Sequence, residues 1–180
     1  MKEYFDIIKK HKLLMCITIS YLIPILIVCY LYNNSPNISY IISQNKIKYI
    51  ILFFMIIFGI FVILYEKKNN DYFSLSIILV LLFSIYGSIL TYYKSNIHNF
   101  FASISFITVF IFMLFNTYKY NNTFLYILFT IQLLLSILQI IVIPSLYSNN
   151  YLFFHIEFLY ILIFAIFYFY LYYIRNINKD

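Results

Sequence analysis

The sequence predicts an all-α membrane protein: a single bundle of six transmembrane helices over residues 1–180, with both termini in the cytosol. Three observations predict it. Hydrophobic residues make up 64% of the chain and charged residues only 10%, whereas about a quarter of the residues in a soluble domain are charged. Six apolar runs have the length of a membrane span. The basic residues, finally, lie mostly in alternate gaps between those runs.

Each run is long enough to cross a bilayer as a helix. The shortest has 17 residues, and a helix rises about 1.5 Å per residue against roughly 30 Å of hydrocarbon. Pro24 lies inside the first run, where we expect a kink because proline removes one backbone hydrogen bond. Pro144 ends the fifth run. In chain order the predicted spans cover about 13–32, 49–65, 72–93, 100–118, 124–143 and 151–174.

The gaps between the runs are short and rich in Asn, Ser and Lys, and their positive charge is unequally divided. For six spans, one face carries nine basic residues and the other carries three. The first set is Lys2, Lys9, Lys10, Lys12, Lys67, Lys68, Lys119, Arg175 and Lys179, and the second is Lys46, Lys48 and Lys94. Cytosolic loops carry the excess of Lys and Arg. The count therefore places both termini in the cytosol.

The net charge of +6 does not indicate a nucleic-acid partner. The basic residues are scattered in small groups at span ends and form no continuous stripe. We interpret them as topology signals and as contacts to anionic lipid headgroups, so that membrane lipids are the expected partners. Asn33 and Asn37 begin glycosylation sequons in the first outer loop, close to the membrane.

Two sets of small and polar residues inside the spans predict helix packing. Interfaces between membrane helices depend on close approach and on hydrogen bonds, because lipid is as apolar as the helices themselves. The fifth span carries a polar seam, and the third span carries small residues that favour close approach. A substrate path is the alternative interpretation of both sets. They are Gln132, Ser136 and Gln139 on the fifth span, and Ser84, Gly87, Ser88 and Thr91 on the third.

Glu157 is the only acidic residue inside the predicted spans, about six residues from the outer end of the last one. A charge within the membrane is costly, so a compensating partner is expected. His98 opens the fourth span on the same outer side and is the better candidate, since His155 points to another face of the same helix. Glu157 either fixes helix packing by a hydrogen bond or forms a lumen-side polar site with His98. Such a site would take a lipid headgroup or sense pH.

Enzyme and metal signatures are scarce. The sequence has no Cys/His cluster, no phosphate-binding glycine loop and no nucleophile elbow, and it contains three His in all. Zinc sites need three or four ligands. We therefore predict a protein that is not an enzyme and has no metal or other cofactor.

Several short motifs resemble those of the Frag/DRAM/Sfk family of six-span proteins, which includes damage-regulated autophagy modulators. The strongest match runs through residues 84–106, including the third-span glycine, the short loop and the His-Asn-x-x-Ala opening of the fourth span. Two weaker matches are the Pro-x-Ile-Ser start of the first outer loop and the Glu-aromatic pair of the last span. At residues 40–44 the chain departs from the Asp-Thr-Gly that many members carry. The matched positions are Pro36, Ser39, Gly87, His98, Asn99, Ala102 and Glu157.

This resemblance implies non-enzymatic roles: modulation of autophagy, remodelling of lipid-anchored proteins, or recruitment of a phosphoinositide kinase. We therefore expect an endomembrane protein, lysosomal or similar rather than of the plasma membrane, that acts through lipids or through membrane or cytosolic protein partners. The alternative is a small transporter or lipid-handling protein that uses Glu157 as an ion or headgroup site.

Overall fold

The computed structural model describes residues 2–32, 35, 37–142 and 152–177, and this part of the chain is helical with short connections. Six of its helices are long and apolar enough to cross a membrane. The predicted all-α bundle of six spans is thus confirmed. The helices are α1 (Lys2–Tyr30), α2 (Ile38–Ile42), α3 (Asn45–Lys68), α4 (Tyr72–Leu90), α5 (Asn96–Tyr120), α6 (Thr123–Val142) and α7 (Leu152–Ile177).

Short polar residues set several helix ends. The Asp71 carboxylate accepts a hydrogen bond from the Ser74 amide at the start of α4, and the Ser95 hydroxyl accepts one from the His98 amide at the start of α5. Such caps satisfy backbone donors that the first helical turn leaves without a partner. Asn121 ends α5 in the left-handed region, at φ 44°. The six candidate spans begin and end within four residues of the predicted runs, although α1 itself begins at Lys2, well before residue 13.

The short helix α2 is the element that the sequence does not predict. Asn37 caps it by accepting a hydrogen bond from the Tyr40 amide at 2.7 Å, and the other end of the Asn37 side chain donates to the Tyr93 hydroxyl at 2.9 Å. Asn37 is buried, so this sequon asparagine is already engaged within the fold. The helix lies against α1, α3, α4 and α7. It covers one end of the bundle.

The long helices share one hydrophobic core, in which α4 packs most extensively on α5 and α7 on α6. Many large apolar side chains instead point outward, including Phe83 and Ile140, which are 68% and 69% exposed. Outward-facing apolar surface on every long helix is what a lipid environment requires. One end of the bundle holds α2. The other end, which we call the basic end, holds the end of α3, the start of α4 and the ends of α5 and α7.

Candidate functional site

Glu157 lies on α7, five residues after the helix begins, and its side chain is buried. Its Oε2 accepts a hydrogen bond from the backbone N–H of Ile38, the first residue of α2, at 2.7 Å. A carboxylate near the membrane interior needs such a donor. Glu157 therefore ties the covering helix α2 to the last span.

The predicted pair of His98 and Glu157 is not formed. His98 faces α4, where its Nδ1 lies 3.0 Å from the carbonyl oxygen of Ser88, a contact that requires a proton on Nδ1. The Thr91 hydroxyl is 3.5 Å from the same nitrogen. The physical reason is that α2 supplies the donor to Glu157, while the first turn of α5 directs the imidazole toward the end of α4. His155, which the sequence makes a less favourable partner of Glu157 than His98, is exposed, and its Nε2 lies 3.5 Å from the Tyr32 hydroxyl.

A partly open cavity of about 200 Å³ lies beside Glu157, between the helices of the bundle. Side chains of α1, α2, α3, α4, α5 and α7 line it, and most of them are aliphatic or aromatic. We call it the central cavity. The polar residues of its lining include Glu157, Ser39, Ser88 and Ser105, and Glu157 is the one acid among them. The arrangement is an apolar chamber with one acid at the end that α2 covers.

The other motif positions lie in different parts of the structure. Ser39 and Ala102 line the central cavity. Gly87 lies against the ring of Phe101, where an added Cβ would come within 2.6 Å, so α4 and α5 approach closely there as the small residues predict. Asn99 is exposed near the start of α5. Pro36 lies outside the described residues.

None of the residues of the polar seam of α6 lines the cavity, and one of them, Gln132, bonds α7. Gln132 and Gln139 are buried, and Gln132 donates through Nε2 to the carbonyl oxygen of Tyr160 on α7 at 3.3 Å. Ser136 bonds the carbonyl of Gln132 within its own helix. The predicted bond to a neighbouring span is thus present at Gln132, and the contact is one of packing.

A second buried polar group lies at the basic end and was not predicted. The Arg175 side chain donates through Nη1 to both oxygens of Glu66, at 2.8 and 2.9 Å, and both residues are buried. The Tyr168 hydroxyl also donates to Glu66, at 3.0 Å. Because α3 continues to Lys68, Glu66 lies within a candidate span. The prediction that Glu157 is the only acidic residue in a span is therefore wrong.

Asp71 completes this group, which we call the ionic cluster (Glu66, Asp71, Lys119 and Arg175). Its Oδ2 accepts from Lys119 Nζ at 2.7 Å and lies 3.3 Å from Arg175 Nη2. Burial alone would raise the pKa of Asp71, but hydrogen bonds from Lys119 and Ser74 outweigh it and hold the pKa below its ordinary value. The cluster pairs two acids with two bases and joins α3, α4, α5 and α7.

Within the described residues, no three His, Cys, Asp or Glu side chains come together in a way that could hold a metal ion. Nor do known proteins identify the chain. No family profile, no curated protein and no solved structure matches it.

Proposed function

We propose that this chain is a non-enzymatic, multi-pass protein of an endomembrane that binds a lipid-like molecule in the central cavity beside Glu157. One observation carries the proposal: a largely apolar chamber inside the bundle has a single carboxylate at one end. Ligand sites are typically concave and apolar, with few polar groups that fix the orientation of the ligand. An amphiphile, which has a polar head and an apolar chain, matches a cavity with one carboxylate and a largely apolar lining.

The endomembrane part of the proposal depends on the resemblance to the Frag/DRAM/Sfk proteins. Three of the matched positions, Ser39, Ala102 and Glu157, line the central cavity although they come from different parts of the chain. This convergence supports a link between the short motifs and the binding of a ligand. The location is tested by imaging the tagged protein against lysosomal, Golgi and plasma-membrane markers. Exclusive plasma-membrane staining would contradict an endomembrane role.

Lipid binding is tested by filling the cavity. Ala102→Phe places a ring in the chamber, whereas Ser103→Phe places the same ring at the next residue of α5, which is exposed. The protein is purified in mild detergent, and bound lipid is measured by native mass spectrometry. We expect the parent chain and Ser103→Phe to retain bound lipid and Ala102→Phe to lose most of it at unchanged monodispersity. Equal lipid retention in all three would contradict binding in the cavity.

The second candidate is a small transporter that uses Glu157 as an ion or headgroup site. The observation that favours it is that Glu157, besides its bond to α2, lines the central cavity. Transport predicts proton- or ion-coupled flux in reconstituted vesicles that Glu157→Gln abolishes. Unchanged flux, with loss of folding or trafficking in that variant, would favour the non-transporting protein.

A further inference from the structure

The buried acids at the two ends of the bundle have different hydrogen-bond and ion-pair partners. Glu66 and Asp71 receive Arg175 and Lys119 within 3.3 Å. Glu157 receives one backbone N–H at Oε2, and within the described part of the chain no Lys, Arg or His nitrogen forms an ion pair with it. A buried carboxylate without a cation is unfavourable. Among the buried acids of the described residues, Glu157 is thus the one that leaves open a position that a cation could stabilise.

The size of the central cavity limits the kind of molecule that can carry that cation to Glu157. Phe164, the lining residue deepest along α7, is seven positions beyond Glu157, which is about 10 Å along the helix axis. An engineered cavity of roughly 150 Å³ in another protein binds benzene. A volume of about 200 Å³ therefore holds a segment of one alkyl chain, and a second chain would have to lie outside the cavity.

The seam between α1 and α7 gives such a chain a route to the bilayer. Over Lys12–Tyr30 of α1 and Leu152–Arg175 of α7, no Cα atoms of the two helices approach within 8 Å. The Tyr21 hydroxyl bridges the gap by donating to the carbonyl oxygen of Ile161 at 3.0 Å. Both residues line the cavity and are partly exposed. Side chains, including the stacked rings of Tyr32 and Phe154, and no close approach of the two backbones, separate the cavity from lipid here.

We propose that the central cavity takes a single-chain lipid amine, with its ammonium at the Glu157 carboxylate and its alkyl chain lying between Phe58 and Phe164. The inference rests on the proposed function and narrows its ligand. An ammonium carries three donors and no acceptor. The described residues provide no donor to Glu157 Oε1, and two other residues that line the cavity, Ser39 and Ser88, carry hydroxyls that can accept a hydrogen bond. Charge-assisted bonds of this kind are stronger than bonds from a neutral alcohol.

The test uses three photoreactive, clickable probes with the same alkyl chain and different heads: a primary amine, an alcohol and a carboxylic acid. Each is added to the full chain in nanodiscs, crosslinked and quantified. We expect the amine to label the parent chain about tenfold more than the other two, with competition by unlabelled amine. Glu157→Gln should reduce amine labelling to the level of the alcohol, Glu157→Asp should retain a preference for the amine, and Ala102→Phe should block all labelling.

The outcomes separate this inference from the function on which it rests. If amine and alcohol label the parent chain equally and Ala102→Phe blocks both, the cavity binds lipid but the amine inference is wrong. If Ala102→Phe and Ser103→Phe label as strongly as the parent chain, both the inference and the proposed function fail. Should Glu157→Gln fail to fold, the comparison of probes and the competition on the parent chain still decide the head group.

Discussion

Loss of Arg175 tests whether the ionic cluster holds the basic end together. Arg175→Gln removes the guanidinium that bonds both oxygens of Glu66 and also contacts Asp71 and Asn116. Asp71 keeps Lys119, but Glu66 keeps only the Tyr168 hydroxyl. Breaking a buried pair by removing one partner costs about 3–5 kcal/mol, because a charge remains buried without compensation. The cost thus comes mainly from Glu66.

The same reasoning predicts how the stability of the double variant compares with that of Arg175→Gln. Glu66→Gln with Arg175→Gln leaves no uncompensated charge at the Glu66 position, so the double variant should be more stable than Arg175→Gln alone. For a chain of this length, a loss of about 3–5 kcal/mol lowers the unfolding midpoint by about 6–20 °C. Lys68→Gln is the control, because Lys68 is exposed near the same end. Its effect should stay within about 2 °C.

The chain has no tryptophan, so unfolding is followed by fluorescence-detected size-exclusion chromatography of tagged protein heated in detergent. The midpoint is the temperature at which half of the monodisperse peak is lost. An Arg175→Gln midpoint equal to that of Lys68→Gln would refute the role of the cluster. A double variant that loses the sum of the two single effects would refute the coupling between the two side chains.

Two further predictions concern the packing of α4 and the acid response of the basic end. Gly87→Val should lower the unfolding midpoint by about 2–12 °C, because overpacking against the Phe101 ring costs about 1–3 kcal/mol. The control is Ser76→Ala at an exposed position of the same helix, which should leave the midpoint unchanged. Equal midpoints in the two variants would contradict the close approach of α4 and α5. Asp71 has a lowered pKa in the folded protein, so its stabilising contribution is fully present above its ordinary value of 3.8 and is lost as the pH falls through the lower folded value. The unfolding midpoint of Asp71→Asn should therefore lie below that of the parent chain at pH 5 to 7, and the difference should shrink below about pH 4; a difference that does not change with pH would contradict the pairing with Lys119.

The six spans could be predicted because each span is recognisable from one continuous stretch of sequence. A helix that crosses the membrane must be about 20 residues long and predominantly apolar, and both properties can be read directly from the sequence. The five residues Ile38–Ile42 leave none, since a helix of about one turn has no recognisable period. Its Ile-Ser-Tyr-Ile-Ile sequence is equally compatible with a loop.

The polar partners could be predicted only in part, for a different reason. Glu157 stands out by its chemistry, but its donor is the backbone N–H of Ile38, a group that every residue except proline carries. The ionic cluster joins residues from 66 to 175, and only the three-dimensional arrangement of four helices brings them together. Glu66 lies one residue beyond the end of the predicted apolar run, so the sequence pattern alone does not assign it to a span.

The contrast between the two ends supports a functional interpretation of Glu157. A bundle that needed an acid only for packing could satisfy it as it satisfies Glu66, with a basic side chain from a neighbouring helix. At Glu157 the chain instead provides one main-chain donor from a short covering helix and an adjoining apolar chamber. Since buried polar groups that lack full compensation oppose stability, they are expected where binding requires them. The different partners of Glu66 and Glu157 thus support the proposed ligand site at the end that α2 covers and a structural role for the ionic cluster at the other end.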